Sequence, residues 1–207
     1  MKKSLILVFV LISMQLTDCY SQSIEINPFG GYVFPTRFNI SSGYARIVGN
    51  ANYGVNVSLN LRSNFNIEVG YNRQDTRVEL NTSQMPYQVL PISMNYWTFC
   101  SYKDFQVTDV FDPYVGLGVG GLLVYPKQDY NSFWLFNISA KGGVKIFMNK
   151  RVGVKLEACL QMPIEGMGLN FYFSPGGGSG TGVDFNSTTV QFGFNGGLVF
   201  RLGRDLD

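Results

Sequence analysis

The chain has 207 residues and no histidine; 16 lysines and arginines stand against 14 aspartates and glutamates, for a net charge of +2. With that near balance and no basic run interleaved with aromatics, it has nothing with which to grip a polyanion, which excludes a nucleic-acid partner. Only 14% of the residues are charged, whereas 15% are aromatic and 24 are glycine; a water-covered surface usually carries about a quarter charged residues.

The first element is an export signal. Met1, Lys2 and Lys3 supply a positive start, residues 5–12 are uninterrupted apolar sequence, and a more polar stretch ends at Asp18, Cys19, Tyr20, Ser21 and Gln22. The apolar part is too short to span a bilayer as a helix. Cleavage after Ser21 puts small residues where the peptidase reads, so residues 1–21 are expected to leave and residues 22–207 to form one domain. In the rival reading Cys19 is lipidated, but Asp18 fits poorly before such a cysteine.

From there the dominant signal is alternation of period two, which is that of β-strands. A first strand is expected over 23–34, loosened by Pro28, Gly30 and Gly31. The second, 52–61, sets Tyr53, Val55, Val57 and Leu59 against Gly54, Asn56, Ser58 and Asn60. After a short turn at 62–64 the third sets Phe65, Ile67, Val69 and Tyr71 against Asn66, Glu68, Gly70 and Asn72. The fourth, 92–102, is ambiguous, because Trp97 and Phe99 compete with Met94 and Tyr96 for the apolar face. The fifth, 113–125, opposes Val115, Leu117, Val119 and Leu123 to glycines 116, 118 and 120. In the sixth, Trp134, Phe136, Ile138, Ala140, Val144 and Ile146 oppose Asn137, Ser139, Lys141, Gly143 and Lys145. A turn at 148–151 leads to the seventh, with Val154, Leu156, Ala158 and Leu160 against Lys155, Glu157 and Gln161. The eighth, 189–202, is the clearest: Val190, Phe192, Phe194, Leu198, Phe200 and Leu202 share one face.

The connections carry a second signal. Those at 36–48, 77–91, 126–133 and 163–188 are long, and two of the three between them are tight; the link at 103–112 is longer than the pattern asks. Long loops alternating with short turns, and strands of about ten residues with one apolar face, describe an antiparallel up-and-down transmembrane β-barrel of about eight strands. It must close, because an unpaired backbone group in hydrocarbon costs several kcal/mol.

The export signal ending in Ser21 and Gln22, the Pro113, Tyr114, Val115, Gly116, Leu117, Gly118 strand start, and the glycine-rich last strand resemble the small outer-membrane β-barrel family, the OmpA/OmpX-like barrels, in the form common in Bacteroidetes. The resemblance implies a Gram-negative outer-membrane location, contact with outer-membrane lipid, and insertion by the barrel-assembly machinery. Phe200 and Leu202 stand where that machinery reads its C-terminal signal, although residues 203–207 extend beyond it.

Chemistry is sparse. Without histidine no Ser/His/Asp arrangement can be built, so no catalytic residues are assigned and the protein is not expected to be an enzyme. There is no metal-ligand spacing and no cofactor motif; the glycine-rich run at 174–182 lacks the lysine of a phosphate-binding loop. Glu68, Lys141, Lys145, Lys155, Glu157 and Arg201 fall on the polar face and are expected to form a paired interior network that plugs a narrow barrel. Cys100 and Cys159 are expected to face opposite ways and to stay free. Tyr53, Tyr71, Tyr96, Tyr114, Tyr125, Trp97 and Trp134 suit an aromatic girdle. Phe171, Tyr172 and Phe173, in the longest loop, are a candidate contact surface. Function is therefore expected in the extracellular loops, as a structural, adhesion or complex-subunit role with an unidentified protein partner. The alternatives are a small channel or ligand-transport barrel, and a soluble lipocalin-like barrel with an apolar interior.

Overall fold

The computed structural model describes residues 23–40, 43–61, 64–82, 87–108, 110–127, 131–164 and 189–203; the expected export signal, residues 171–173 and most of the expected last long loop lie outside them. Ten strands run through these residues: β1 (Ser23–Val33), β2 (Thr36–Ile40), β3 (Gly43–Ile47), β4 (Asn50–Asn60), β5 (Phe65–Thr82), β6 (Gln88–Asp104), β7 (Phe111–Pro126), β8 (Phe133–Phe147), β9 (Val152–Ile164) and β10 (Gln191–Leu202). Eight of them (β1 and β4–β10) close an antiparallel barrel through the β5–β6 and β1–β10 pairings.

The register fixes the shape. Paired residues followed around the wall run Ser23, Asn60, Asn66, Tyr102, Gly116, Lys141, Cys159, Gly193 and back to Val33 on the starting strand. That offset of ten residues over eight strands tilts the strands by about 40° from the axis, and leaves an interior that side chains can fill.

Outside, the wall is apolar: Val55, Val69, Val115, Leu117, Leu156, Phe194 and Leu198 are all exposed. Tyr53, Trp97, Tyr125 and Trp134 also face outward, and Tyr71 packs on Trp97 with ring centroids 4.7 Å apart. Tyr96 and Tyr114 do not belong to that girdle, because both are buried in the lumen. The ambiguity in the fourth strand resolves with Trp97 and Phe99 outward and Met94, Tyr96 and Cys100 inward. Cys100 and Cys159 thus both face the lumen, contrary to expectation; they remain free because they stand on β6 and β9, separated by two strands of wall.

At one rim the connections are short. Asn64 takes a left-handed conformation (φ 59°) in the β4–β5 turn, which asparagine tolerates. The longer 103–112 link is folded onto the rim by Phe105 N–H donating to Pro113 O (2.7 Å) and Val107 N–H to Phe111 O (3.3 Å).

The opposite rim departs from the sequence reading. Residues 36–48 and 77–91 were expected as loops, yet β2, β3 and the ends of β5 and β6 continue the sheet through them. Thr36 pairs with Ile47 and so extends the register in which Val33 pairs with Asn50; β1–β2 and β3–β4 form one long hairpin, interrupted at Phe34–Pro35 and Val48–Gly49. Against β5, the five steps from Ile47 to Asn52 oppose only four from Val78 to Gln74, which is a β-bulge. Thr76 Oγ1 donates to Val48 O (2.5 Å) and Asn50 Nδ2 to Asp75 O (2.6 Å) to satisfy the interrupted ladder. Gly49 has no room for a side chain: a Cβ would lie 2.8 Å from Val33 O.

Candidate functional site: a plugged lumen beneath a collar

All six inward charges read from the sequence point into the lumen, in two layers. In the middle layer Glu68 on β5 is bonded by Lys141 from β8 and by Lys155 from β9 (3.0 Å), and Ser58 Oγ also donates to it (3.0 Å). Glu157 lies 3.5 Å from Lys155 and 3.9 Å from Lys141, and accepts from Tyr114 Oη at 2.8 Å. Two lysines and two glutamates therefore neutralise one another. Buried charges persist only when paired and bonded in this way.

The second layer, nearer the short turns, centres on Lys145, which is fully buried and bonds Glu25 (2.9 Å), Asp104 (3.0 Å) and Tyr102 Oη (3.3 Å). Arg201 from β10 donates to Glu25 through Nη2 at 2.9 Å and Nε at 3.1 Å. Tyr102 and Tyr114 separate the layers, with Lys145 Nζ 4.8 Å from one ring centroid and Lys155 Nζ 5.0 Å from the other. Sequence reasoning missed Glu25, Asp104 and both tyrosines. Glu25 was legible, since it alternates with Ile24 and Ile26. Asp104 was not, because it falls in a link whose phase the sequence does not set. Phe200 and Leu202 are on the outer face of β10, where Phe200 pairs with Ile26 and Leu202 with Ile24.

Above Tyr96 the barrel reverses its polarity. Along β5 the inward series runs Asn66, Glu68, Asn72, Gln74 and then Val78 and Leu80, while the outward series runs Ile67, Val69, Tyr71 and then Arg73, Asp75, Arg77 and Glu79. Asp75 gathers that outer surface: Arg73 Nη2 donates to it (3.1 Å), Ser93 Oγ from β6 (2.5 Å), and Lys127 after β7 lies 3.2 Å away. Hydrogen bonds from Arg73 and Ser93 hold the Asp75 carboxyl well below its ordinary value. Arg46 on β3 lies 3.6 Å from Glu79. The β2–β3 hairpin and the ends of β5–β8 thus form a collar with a charged outside and an apolar inside.

Within the collar, buried Ile47, Ile92, Met94, Leu122 and Val124 pack with Phe38, Val78, Phe133 and Leu135. They surround an upward-opening cavity of about 750 Å³, counting the part open to solvent; Thr189 is its one polar lining side chain among the described residues. Tyr96 closes the floor, its Oη donating to Gln191 Oε1 at 2.7 Å. Gln74, also buried beside the floor opposite Met94, has neither amide atom bonded. Lumen below and collar above share one wall but opposite chemistry.

No protein-family model matches the chain, and no curated protein matches it in sequence. Its structure is similar to the crystal structure of Neisserial surface protein A (TM-score 0.57, 10% identity, 87% of this chain and 97% of that one). It is also similar to the solid-state NMR structure of outer membrane protein AlkL (0.52, 12%, 91% and 94%) and to the solution structure of the E. coli outer membrane protein W (0.50, 13%, 87% and 97%). The fold is that of the small eight-stranded outer-membrane β-barrels. In that fold short turns face the periplasm and long connections face outward, which puts the collar on the extracellular side.

Proposed function

We propose that this outer-membrane barrel is non-catalytic and works through its extracellular collar and loops, as a surface-contact or complex-subunit protein, with the membrane-spanning part serving as a closed, rigid mount. The observation that carries the reading is the filled lumen: Glu68, Glu157, Lys141 and Lys155 meet across the middle of the barrel, where a diffusion pore needs open water. The absence of histidine supports the non-catalytic part. The collar supports the rest, since it spends a long hairpin and four strand extensions on structure outside the bilayer.

The test is proximity crosslinking on intact cells, comparing the natural chain with two variants in which a short Gly/Ser turn replaces residues 36–47 or 165–188. Each variant is expected to keep the heat-modifiable gel migration of a folded barrel, and at least one to lose crosslinked neighbours. Identical crosslinks from all three chains would end the reading.

A further inference from the structure

From the reversal of polarity and the cavity it creates, we infer that the collar is a binding site for a single unbranched aliphatic chain, the acyl tail of a small amphiphile. This inference rests on the reading that the extracellular end is the working part of the molecule. Below Tyr96 the inward faces carry Asn, Ser, Glu and Lys; above it the same parity carries Ile92 and Leu90 on β6, Leu122 and Val124 on β7 and, past Gln74 and Thr76, Val78 and Leu80 on β5. Among the described residues the collar's apolar centre is left partly open, whereas a closed hydrophobic core would serve packing better.

The lining specifies the ligand class. It is mostly aliphatic, and with Thr189 its one polar side chain among the described residues it has almost nothing to recognise a sugar, peptide or nucleotide. Met94 at the floor is unbranched and adaptable, which suits a chain end of variable position. From Met94 through Ile92 to Leu90 the apolar wall rises by four residue steps along β6, about 13 Å of strand. A chain laid along this wall leaves its polar head at the open mouth, while the floor bond between Tyr96 and Gln191 and the ion pairs beneath stop it from passing through.

The probe is a series of saturated fatty acids from hexanoic to tetradecanoic, added to the full chain in lipid nanodiscs with carbon-13 methyl labels. Shifts of the Ile92, Met94 and Leu122 methyls are expected to saturate, with affinity rising about fourfold per added methylene until the chain outgrows the wall. The lipid-facing methyls of Val115 and Leu117 report partition into the bilayer and are expected not to saturate. Ile92→Thr combined with Leu122→Thr should weaken binding at least tenfold in a chain that stays heat-modifiable; Met94→Gln, a single milder change, should weaken it less. If the double variant does not fold, the chain-length series and Met94→Gln decide. Shifts that never saturate, affinity independent of chain length, or unchanged affinity in the folded variants would each overturn the proposal. Intramolecular contacts showing the cavity filled by the chain's own residues 165–188, with no fatty acid bound, would overturn it too. Because the readout is a shift at named methyls, its failure is separate from the crosslinking result and leaves that reading to stand or fall by itself.

Discussion

Glu68 is the residue on which the lumen turns, since two lysines from different strands converge on its carboxylate. Glu68→Gln keeps the shape and removes the charge, leaving Lys141 and Lys155 with Glu157 as their remaining carboxylate. Uncompensated buried charge costs about 3–5 kcal/mol, and denaturant unfolding of the barrel in lipid vesicles should show a loss of that order. Adding Lys155→Met to Glu68→Gln should recover part of it, because the second change removes one orphaned cation. Gln74 behaves oppositely. Its buried amide has no bonded partner, so Gln74→Leu is expected to leave stability unchanged or raise it by about 1–3 kcal/mol in the same measurement. Asp75, on the water side of the collar, supplies the pH dependence. Its carboxyl is held below the ordinary value of about 3.9, so the stability it adds is complete above about pH 4 and disappears as the pH falls through the folded value. As the group is about one-third exposed, the effect is at most about 1 kcal/mol. Melting temperatures of the natural chain and Asp75→Asn should therefore differ slightly at neutral pH, and the gap should narrow as the pH falls below about 4; a gap of the same size at about pH 5 and about pH 2 would contradict this assignment.

At the scale of elements, what could be read from the sequence depended on phase. The eight wall strands were legible wherever apolar side chains kept one parity facing lipid, as Phe192, Phe194, Leu198 and Phe200 do on β10. The collar strands were not. The inward position shifts from odd to even numbers between Val33 and Phe38, and from odd to even again between Ile47 and Asn52, so alternation carried across Phe34–Pro35 or Val48–Gly49 cancels. On β5 and β6 the phase holds but its meaning inverts: Arg77 and Glu79 occupy the outward positions that Val69 and Tyr71 hold lower down, and a search for an apolar outer face ends there. The inward charges were legible by parity, but their partners were not, because pairing across a barrel is set by the ten-residue stagger. Glycines 116, 118 and 120 gave the β7 pattern, and the structure shows what they permit. A Cβ at Gly118 would lie 2.3 Å from Cys100 Sγ and 3.0 Å from Phe99 O. Gly118→Ala must therefore push β7 from β6, and a destabilisation of about 1–3 kcal/mol is expected from unfolding curves.

The whole molecule joins two solvents. Its lower part is built for hydrocarbon outside and charge inside, its upper part for water outside and hydrocarbon inside, with Tyr96 and Gln191 at the boundary. Purified protein in planar bilayers should accordingly show no stable large conductance steps, and such steps would put the channel alternative ahead.

The seam between β1 and β10 carries a further consequence. Every other pair of neighbours in the wall follows one another in the order of the wall strands along the chain, whereas Ile24 meets Leu202 from the far end of the chain. The seam is also thinly furnished: Gly30 faces Gly196, and Pro28 has no N–H to offer Leu198, whose carbonyl accepts instead from Asn27 Nδ2 at 2.7 Å. Seven of the eight wall junctions join strands consecutive along the wall; this one joins the two ends of the chain and can form only when β10 is in place. A chain stopped short of β10 therefore has two raw edges in hydrocarbon and no stable resting form. The last dozen residues of the wall thus remove both edges at once, by pairing with β9 on one side and β1 on the other.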